Sequence, residues 1–402
     1  MKKKFDATVA GHICLDIIPE IPDTGIKEVG ELFKPGKLIN VNAAKLSTGG
    51  AVSNTGMALK KLGLNLAFLA RIGKDEFGQM ITTILAKEGE TSGLSVCPED
   101  RTSYSIVIAA PGIDRMFLHD PGANNAFTSQ DLNQDIISQS KLFHFGYPPL
   151  MAATLENHGQ ELQKIYKIAK QCGALTSLDL SLPDPNSPTG KINWEKILAN
   201  VLPCVDLFLP SVEEVFFMLD RERYFQVKKR AGANDMIDFI DYEENSRLAN
   251  RCLELGTKIV ALKSAQRGFY VKTSALEKNF LADNSTIDLN NWSRRELWCP
   301  AFKVERIVSA TGAGDAAIAG FLAAFLRGYS IEKAVKYANC IGYQNLHALD
   351  ALSGIKNWET ATAFIKEKNP PLIQLSLAGF GWRWSEKNKL WLGTEDASNN
   401  RH

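Results

Sequence analysis

The run Ser309-Ala-Thr-Gly-Ala-Gly-Asp315 sets a carboxylate directly behind two glycines. The small-residue stretch Ala316-Ala-Ile-Ala-Gly-Phe-Leu-Ala-Ala-Phe-Leu326 follows it. The pattern reads as a strand, a glycine turn and a tightly packed helix that opens on the carboxylate. A helix start presents unpaired N–H groups and the positive end of its dipole, so it can hold an anion. Glycines let the backbone come close to that anion. Asp315 has a use at such a spot if it removes a proton beside a phosphate, the pairing that phosphoryl transfer to an alcohol needs.

Other readings of the same turn compete. Gly312-Ala-Gly314-Asp315-Ala-Ala317 fits the loose dinucleotide pattern G-x-G-x-x-G/A, which is weak evidence alone. That reading needs a following strand ending in an acid about twenty residues on. Instead the helix pattern runs to about Arg327, turns at Gly328-Tyr329 and restarts near Ser330, so Glu332 falls within a helix. A phosphate loop of the Gly-Lys-Ser/Thr type fails too, because no such residues follow the glycines. The remaining alternative is an ordinary strand-to-helix turn with a first-turn acid.

A second glycine turn lies near the N-terminus. Thr48-Gly-Gly-Ala-Val-Ser-Asn54 leads into the helical Thr55-Gly-Met-Ala-Leu-Lys-Lys-Leu62, and a strand follows that ends Arg71-Ile-Gly-Lys-Asp75-Glu-Phe-Gly78. The paired glycines let a small polar ligand lie against the backbone. Asn54 offers both a donor and an acceptor to hydroxyls. Asp16, read as the end of the first strand, can accept from a pair of hydroxyls; taken alone it is more often a turn or surface acid.

These residues need a scaffold, and the remaining pattern describes one. With 402 residues and 45% hydrophobic content, the chain can build one large domain or two. The balance of 46 basic against 45 acidic residues leaves a net charge of +1 and points to neither nucleic acid nor a membrane. No apolar h-region follows Met-Lys-Lys-Lys, and no run is long enough to span a bilayer. Seven scattered cysteines without a C-x-x-C pair suggest reduced thiols in the cytoplasm, and six dispersed histidines read as surface or packing residues. Strand candidates at 7–13, 66–72, 141–145, 174–180, 207–209, 259–263 and 268–272 alternate with amphipathic helices at 53–62, 76–88, 158–171 and 245–255. That rhythm predicts an α/β fold, a mostly parallel sheet flanked by helices. Residues 17–48, with turns at Pro22-Asp-Thr-Gly25 and Pro35-Gly36, and a hairpin over 102–119 turning at Pro111-Gly-Ile-Asp114, break the rhythm and predict a small projecting sheet. Such a sheet over a strand-end crevice can act as a lid that excludes water. Residues 221–242 read as a charged, solvated insertion. Residues 274–300 read as a polar one whose Trp292 and Trp298 either wall a flat ligand or, more commonly, anchor the loop. The tail carrying Trp382, Trp384 and Trp391 is expected to dock on the body or a neighbouring subunit, with mobile last residues.

The order of motifs is informative: an early strand ending in Asp16, then Gly-Gly-x-x-x-Asn, I-G-x-D-x-F-G, and late T-G-A-G-D-x-x-x-A-G-F. From about residue 5 to 368 the chain resembles the ribokinase-like (PfkB) family of carbohydrate and nucleoside kinases. The resemblance implies ATP- and magnesium-dependent phosphorylation of a hydroxyl, usually primary, on a small sugar or sugar acid. It makes Asp315 the base, and Gly312, Ala313 and Gly314 the N–H donors to the transferred phosphate. Asp16, Gly49, Gly50 and Asn54 would bind the acceptor. Leu209-Pro-Ser211-Val-Glu-Glu214 resembles the family's N-x-x-E element, with Ser211 in place of Asn and Glu214 organising magnesium through water; Glu213 is the neighbouring alternative. Val260-Ala-Leu-Lys263-Ser-Ala-Gln-Arg-Gly268 resembles the K-x-G-x-x-G turn beside the nucleotide, with Ala265 replacing a glycine. Lys263, Gly268, Thr311 and Asn339 would then lie by ATP, although a strand-end lysine is more often solvated. Residues 1–371 would form the kinase domain, with lid segments near 17–48 and 102–119 that commonly pair subunits into a homodimer. Residues 372–402 would be an extension.

Departures bear on the acceptor and the ions. Cys14 stands where ribose kinases carry Asn, and no Glu occurs at Phe145-Gly146-Tyr147, so ribose is disfavoured. The segment Phe143-His-Phe-Gly-Tyr-Pro148 looks more like members acting on fructose or keto-deoxy sugar acids, yet Asp179-Leu-Ser181-Leu-Pro183 lacks their D-x-N-x-R. His12 could face a base in a nucleoside kinase or cap a strand end. Ser309 replaces an Asp common in potassium-activated members, leaving K+ dependence open. The competing classes are a nucleoside kinase and a degenerate sensor that binds sugar or nucleotide without turnover.

Overall fold

Short strands apolar on both sides must be covered on both sides, and the chain does this with one large sheet between two helical layers. A computed structural model describes residues 3–23, 25, 29–111, 115–281, 286–368 and 370–396. Its strands are β1 (Phe5–Gly11), β2 (Cys14–Pro19), β3 (Ala44–Gly49), β4 (Leu66–Gly73), β5 (Glu90–Cys97), β6 (Tyr104–Ile108), β7 (Met116–Asp120) and β8 (Ser140–Gly146). They continue as β9 (Leu175–Asp179), β10 (Leu207–Phe208), β11 (Ile259–Lys263), β12 (Phe269–Thr273), β13 (Glu296–Cys299), β14 (Arg383–Ser385) and β15 (Leu390–Leu392).

The large sheet runs β14-β15-β13-β12-β11-β10-β9-β8-β1-β4-β5. From β11 to β5 all neighbours are parallel, and from β11 to β14 they are antiparallel. Alternation along β4 splits the core: Leu66, Phe68 and Ala70 pack on one face, Ala67 and Leu69 on the other. The chain leaves β1 toward β4 on one side and later lays β8 on its other side. That reversal opens a crevice at the carboxyl ends of β1 and β8, the usual ligand position in such sheets. The two ends lie close together: a Cβ on Gly11 would sit 2.4 Å from the Gly146 carbonyl oxygen.

A second sheet, β3-β2-β6-β7, stands apart from the first. Its register aligns Ser47 with Asp16, Asp16 with Ser105, and Ser105 with His119. Cross-strand neighbours share a face, so these four side chains form one polar row. The next row, Leu46, Ile17, Ile106 and Leu118, lies on the opposite face.

Several expectations change. Asp16 does not end the first strand; β1 stops at Gly11, whose φ of 117° breaks it, and Asp16 belongs to the lid strand β2. No strand precedes the late glycine turn. Phe302 makes only an isolated bridge to Leu372, and Ile307 and Val308 are exposed. The helix there opens at Ala313, not Asp315. Residues 221–242 are not simply solvated: the helix Arg221–Ala231 buries Tyr224, Val227 and Ala231 in the core. Trp292 and Trp298 are fully buried, so they anchor their segment and wall no ligand. His12 and His144 are buried as well. The tail docks as two added strands, β15 pairing with β13. Parts of the turns at 22–25 and 111–114, and the residues from 397 onward, lie outside the described residues. Among the described residues no helix is long and apolar enough to cross a membrane.

Candidate active site

Asp315 is the third residue of the helix Ala313–Leu326 and is almost entirely buried. The N-cap, Gly312, has φ 76°, and a Cβ there would lie 2.4 Å from that of Ala351; only glycine fits both demands. The approach is fixed from behind, because Asn345 Nδ2 donates to the Thr311 carbonyl at 2.7 Å. Within the turn, the Thr311 N–H donates to Ser309 Oγ, and the Ala313 N–H to the Ala310 carbonyl.

Three side chains hold the Asp315 carboxylate. Thr55 Oγ1 donates to Oδ1 at 3.0 Å; Asn54 Nδ2 and the Tyr147 hydroxyl donate to Oδ2 at 3.2 and 2.7 Å. Asn54 and Thr55 come from the helix Ala51–Lys61, and Tyr147 follows directly on β8. Burial pushes the Asp315 pKa up, with the Tyr147 hydrogen bond, the Lys263 charge, Thr55 and Asn54 opposing it.

A cavity of about 640 Å³ opens in front of this carboxylate. Thr311, Gly312 and Asp315 line one side, and Gly49, Gly50, Asn54 and the row Ser47, Asp16, Ser105, His119 line the others. Both early glycines are sterically required. A Cβ on Gly49 would meet Asp16 Oδ2 at 2.4 Å, and one on Gly50, with φ 83°, would meet His12 Nδ1 at 2.5 Å. Burial raises the Asp16 pKa to about 6 against hydrogen bonds from Cys14 and Ser105. His12 Nε2 lies 3.3 Å from His119 Nε2, joining the main sheet to the lid; burial lowers the His12 pKa to about 3. Three more ties reach the 349–352 segment, two of them from the lid. Lys45 pairs with Asp350 at 2.7 Å, Lys61 donates to the Leu352 carbonyl, and Arg115 donates to that of Leu349.

The residues assigned to nucleotide and metal fall into two groups. Lys263 is not freely solvated: it is half-buried, its side chain 13% exposed, in an ion pair with Asp179 at 2.5 Å. A Cβ on Gly314 would lie 3.4 Å from its Cδ, so its stem passes under the glycine turn. Ser211 bridges to Lys263 and caps the helix Val212–Leu219, whose Glu214 carboxylate accepts from the Ser211 N–H at 2.7 Å. Gly268 and Asn339 lie elsewhere, against the end of β13. A Cβ on Gly268 would strike the Cys299 carbonyl oxygen, and Asn339 Nδ2 donates to the carbonyls of Cys299 and Pro300. Tyr147, Thr55, Ser47, Ser105 and His119 were missed from sequence. Only Tyr147 left a signal, a bulky residue wedged between a strand-end glycine and Pro148-Pro149.

A model of the pfkB family carbohydrate kinases matches residues 11–355, and the chain belongs to that family of ATP-dependent sugar kinases. It is 24% identical to an uncharacterized sugar kinase of Archaeoglobus fulgidus, over 74% of this chain and 98% of that one. It is 27% identical to the probable fructokinase-4 of Arabidopsis thaliana, over 53% of this chain and 61% of the relative. The structure of Arabidopsis thaliana ribokinase complexed with ribose and ATP superimposes with a TM-score of 0.66 at 18% identity, covering 91% of this chain and 99% of that one. The fold is therefore ribokinase-like.

Proposed function

We propose that the protein transfers the γ-phosphate of ATP to a hydroxyl, preferably primary, of a small sugar or sugar acid. The observation that carries this is the shared cavity: the buried Asp315 faces the same space as Asp16, Gly49, Gly50 and Asn54. In this reading the lid row Ser47–Asp16–Ser105–His119 accepts and donates to acceptor hydroxyls and fixes one of them against Asp315. The carboxylate takes that proton as the oxygen attacks. Little further covalent chemistry is asked of the protein, since alignment and charge neutralisation dominate such transfers.

Among the described residues no three His, Cys, Asp or Glu side chains converge as a metal cage. Magnesium is commonly held by one or two carboxylates together with substrate phosphates and water. Glu214 is the carboxylate we assign to it, beside the buried Asp179. Bound there, the ion would neutralise phosphate charge. Lys263, locked by Asp179, would supply fixed positive charge beneath Gly314, with Ser211 shaping the same wall. Gly268, Thr311 and Asn339 are placed in the nucleotide region on the strength of the family pattern. Residues 1–371 act as the kinase domain in this account. The outer lid row supports a homodimer through the lid, since Leu46 and Leu118 are 42% and 57% exposed.

The test of the chemistry is Asp315→Asn. It is expected to keep ATP binding while turnover falls by roughly 10²- to 10⁴-fold, the usual contribution of a general base. Turnover close to that of the parent enzyme would remove Asp315 as the base.

A further inference from the structure

Tyr147 has a backbone that needs explaining. Its φ of 65° and ψ of 42° are left-handed, an outlier for a bulky residue, and it precedes Pro148, which favours extended geometry. The surroundings hold it there. A Cβ on Gly146 would overlap Ala51 Cβ, the Tyr147 N–H donates to the Asp179 carbonyl at 3.3 Å, and the Leu150 N–H donates back to the Tyr147 carbonyl at 3.0 Å. Strain that neighbours over-determine is a reason to look for a function. What the conformation delivers is the phenol hydroxyl, 2.7 Å from Asp315 Oδ2.

The carboxylate has about four lone-pair positions. Asn54 and Tyr147 occupy both on Oδ2, and Thr55 occupies one on Oδ1. Asn54 and Thr55 belong to one helix, while Tyr147 reaches in from the end of β8, so the donors arrive from two separate elements. We infer that Tyr147 is a positioning residue: its hydroxyl pins Oδ2 and reserves the remaining lone pair of Oδ1 for the acceptor's proton. In the transfer the acceptor O–H bond breaks with its proton passing to Oδ1. The acceptor O–P bond forms as the bond from the γ-phosphorus to the bridging oxygen breaks, and ADP leaves. Tyr147 keeps its own proton throughout, since burial and the neighbouring Asp315 charge push its pKa well above the usual phenol range. This inference rests on Asp315 being the base.

The experiment compares Tyr147→Phe with the parent enzyme across pH, using an acceptor that the parent turns over. Losing a donor to the carboxylate raises its proton affinity. The acid limb of kcat should therefore move up by about one pH unit, with roughly tenfold less turnover below it. Higher pH should restore part of the rate, and the ATP Kd should stay within about twofold. Thermal unfolding checks that the variant is folded. If it is not, 3-fluorotyrosine placed at 147 keeps the shape and strengthens the donor, and the limb should then move down. An unmoved limb in either variant would mean that Tyr147 only packs. A raised kcat/KM for the acceptor in Tyr147→Phe would mean that the hydroxyl blocks the site, and would equally overturn the inference. If Asp315→Asn stays active the base assignment fails; if it is inactive while the Tyr147 variants behave normally, only the role of Tyr147 fails.

Discussion

Asp315 is buried and Asp16 half-buried, both with raised proton affinity, yet they sit in different elements and should register differently in kinetics. Asp16 is deprotonated only above about pH 6. If it accepts from substrate hydroxyls, the acceptor KM should rise as pH falls through 6, whereas protonating Asp315 should lower kcat. Its linkage to folding has a definite sign. The folded state holds the Asp16 proton more tightly than the unfolded chain does, so stability from this group falls as pH rises from about 4 toward 6. Asp16→Asn should accordingly raise the thermal midpoint at pH 7 while raising the acceptor KM; a lowered midpoint would show that the carboxylate stabilises the lid. Ser309 bears on ions at the same scale. It is neutral and already accepts from the Thr311 N–H, so exchanging Na+ for K+ should change kcat less than about twofold. Asp315, Gly49, Gly50 and Asn54, which the fold brings to one cavity, stand out in the sequence because each lies inside a local motif; Asp16 stands out only through the order of motifs. Tyr147, His119, Ser105 and Ser47 do not, because strand register and a left-handed backbone bring them to the cavity. The sequence places Lys263 by ATP with a solvated strand-end lysine as the alternative; only the tertiary fold reveals the Asp179 beside it.

At the level of elements, the site is two helix starts facing each other across the ends of β1 and β8. The helices Ala51–Lys61 and Ala313–Leu326 begin after Gly50 and Gly312, both with positive φ. Because Gly312 is strained for any side chain and abuts Ala351, Gly312→Ala should destabilise by about 1–3 kcal/mol and displace the turn. Denaturant midpoints and turnover together would check this; an unchanged enzyme would mean that the 348–353 segment yields freely. The main strands and helices were legible because apolar alternation is a local signal, and their bounds shifted by only a few residues. The strand expected before Gly312 did not form, since Ile307 and Val308 find no partner strand and remain exposed. The start of the lid was misplaced for a related reason. Gly11 ends β1 by its backbone conformation, and hydrophobic pattern alone does not reveal that.

Across the whole molecule, the sheet is completed by the C-terminal extension. Asp396 is buried against Arg295 at 3.0 Å and accepts from the Glu296 N–H at 2.9 Å, fastening the chain just after β15 joins β13. Arg295 also pairs with Glu332 at 2.7 Å. Asp396→Ala leaves a buried guanidinium short of a partner and should cost about 3 kcal/mol. Equilibrium unfolding would show this, and a loss below about 0.5 kcal/mol would mean that Glu332 alone satisfies Arg295. The extension's docking was foreseen from its tryptophans, but its strand pairing was not, because three-residue strands carry too little pattern to recognise. All these parts converge on one claim, that the cavity binds a small sugar-like acceptor and phosphorylates it from ATP. ADP release from ATP and magnesium, measured as sugars, sugar acids and nucleosides are added in turn, tests that claim most directly. The account predicts release stimulated by at least one sugar or sugar acid and abolished in Asp315→Asn; binding of such compounds without any ADP release across the panel, or release only with nucleosides, would contradict it.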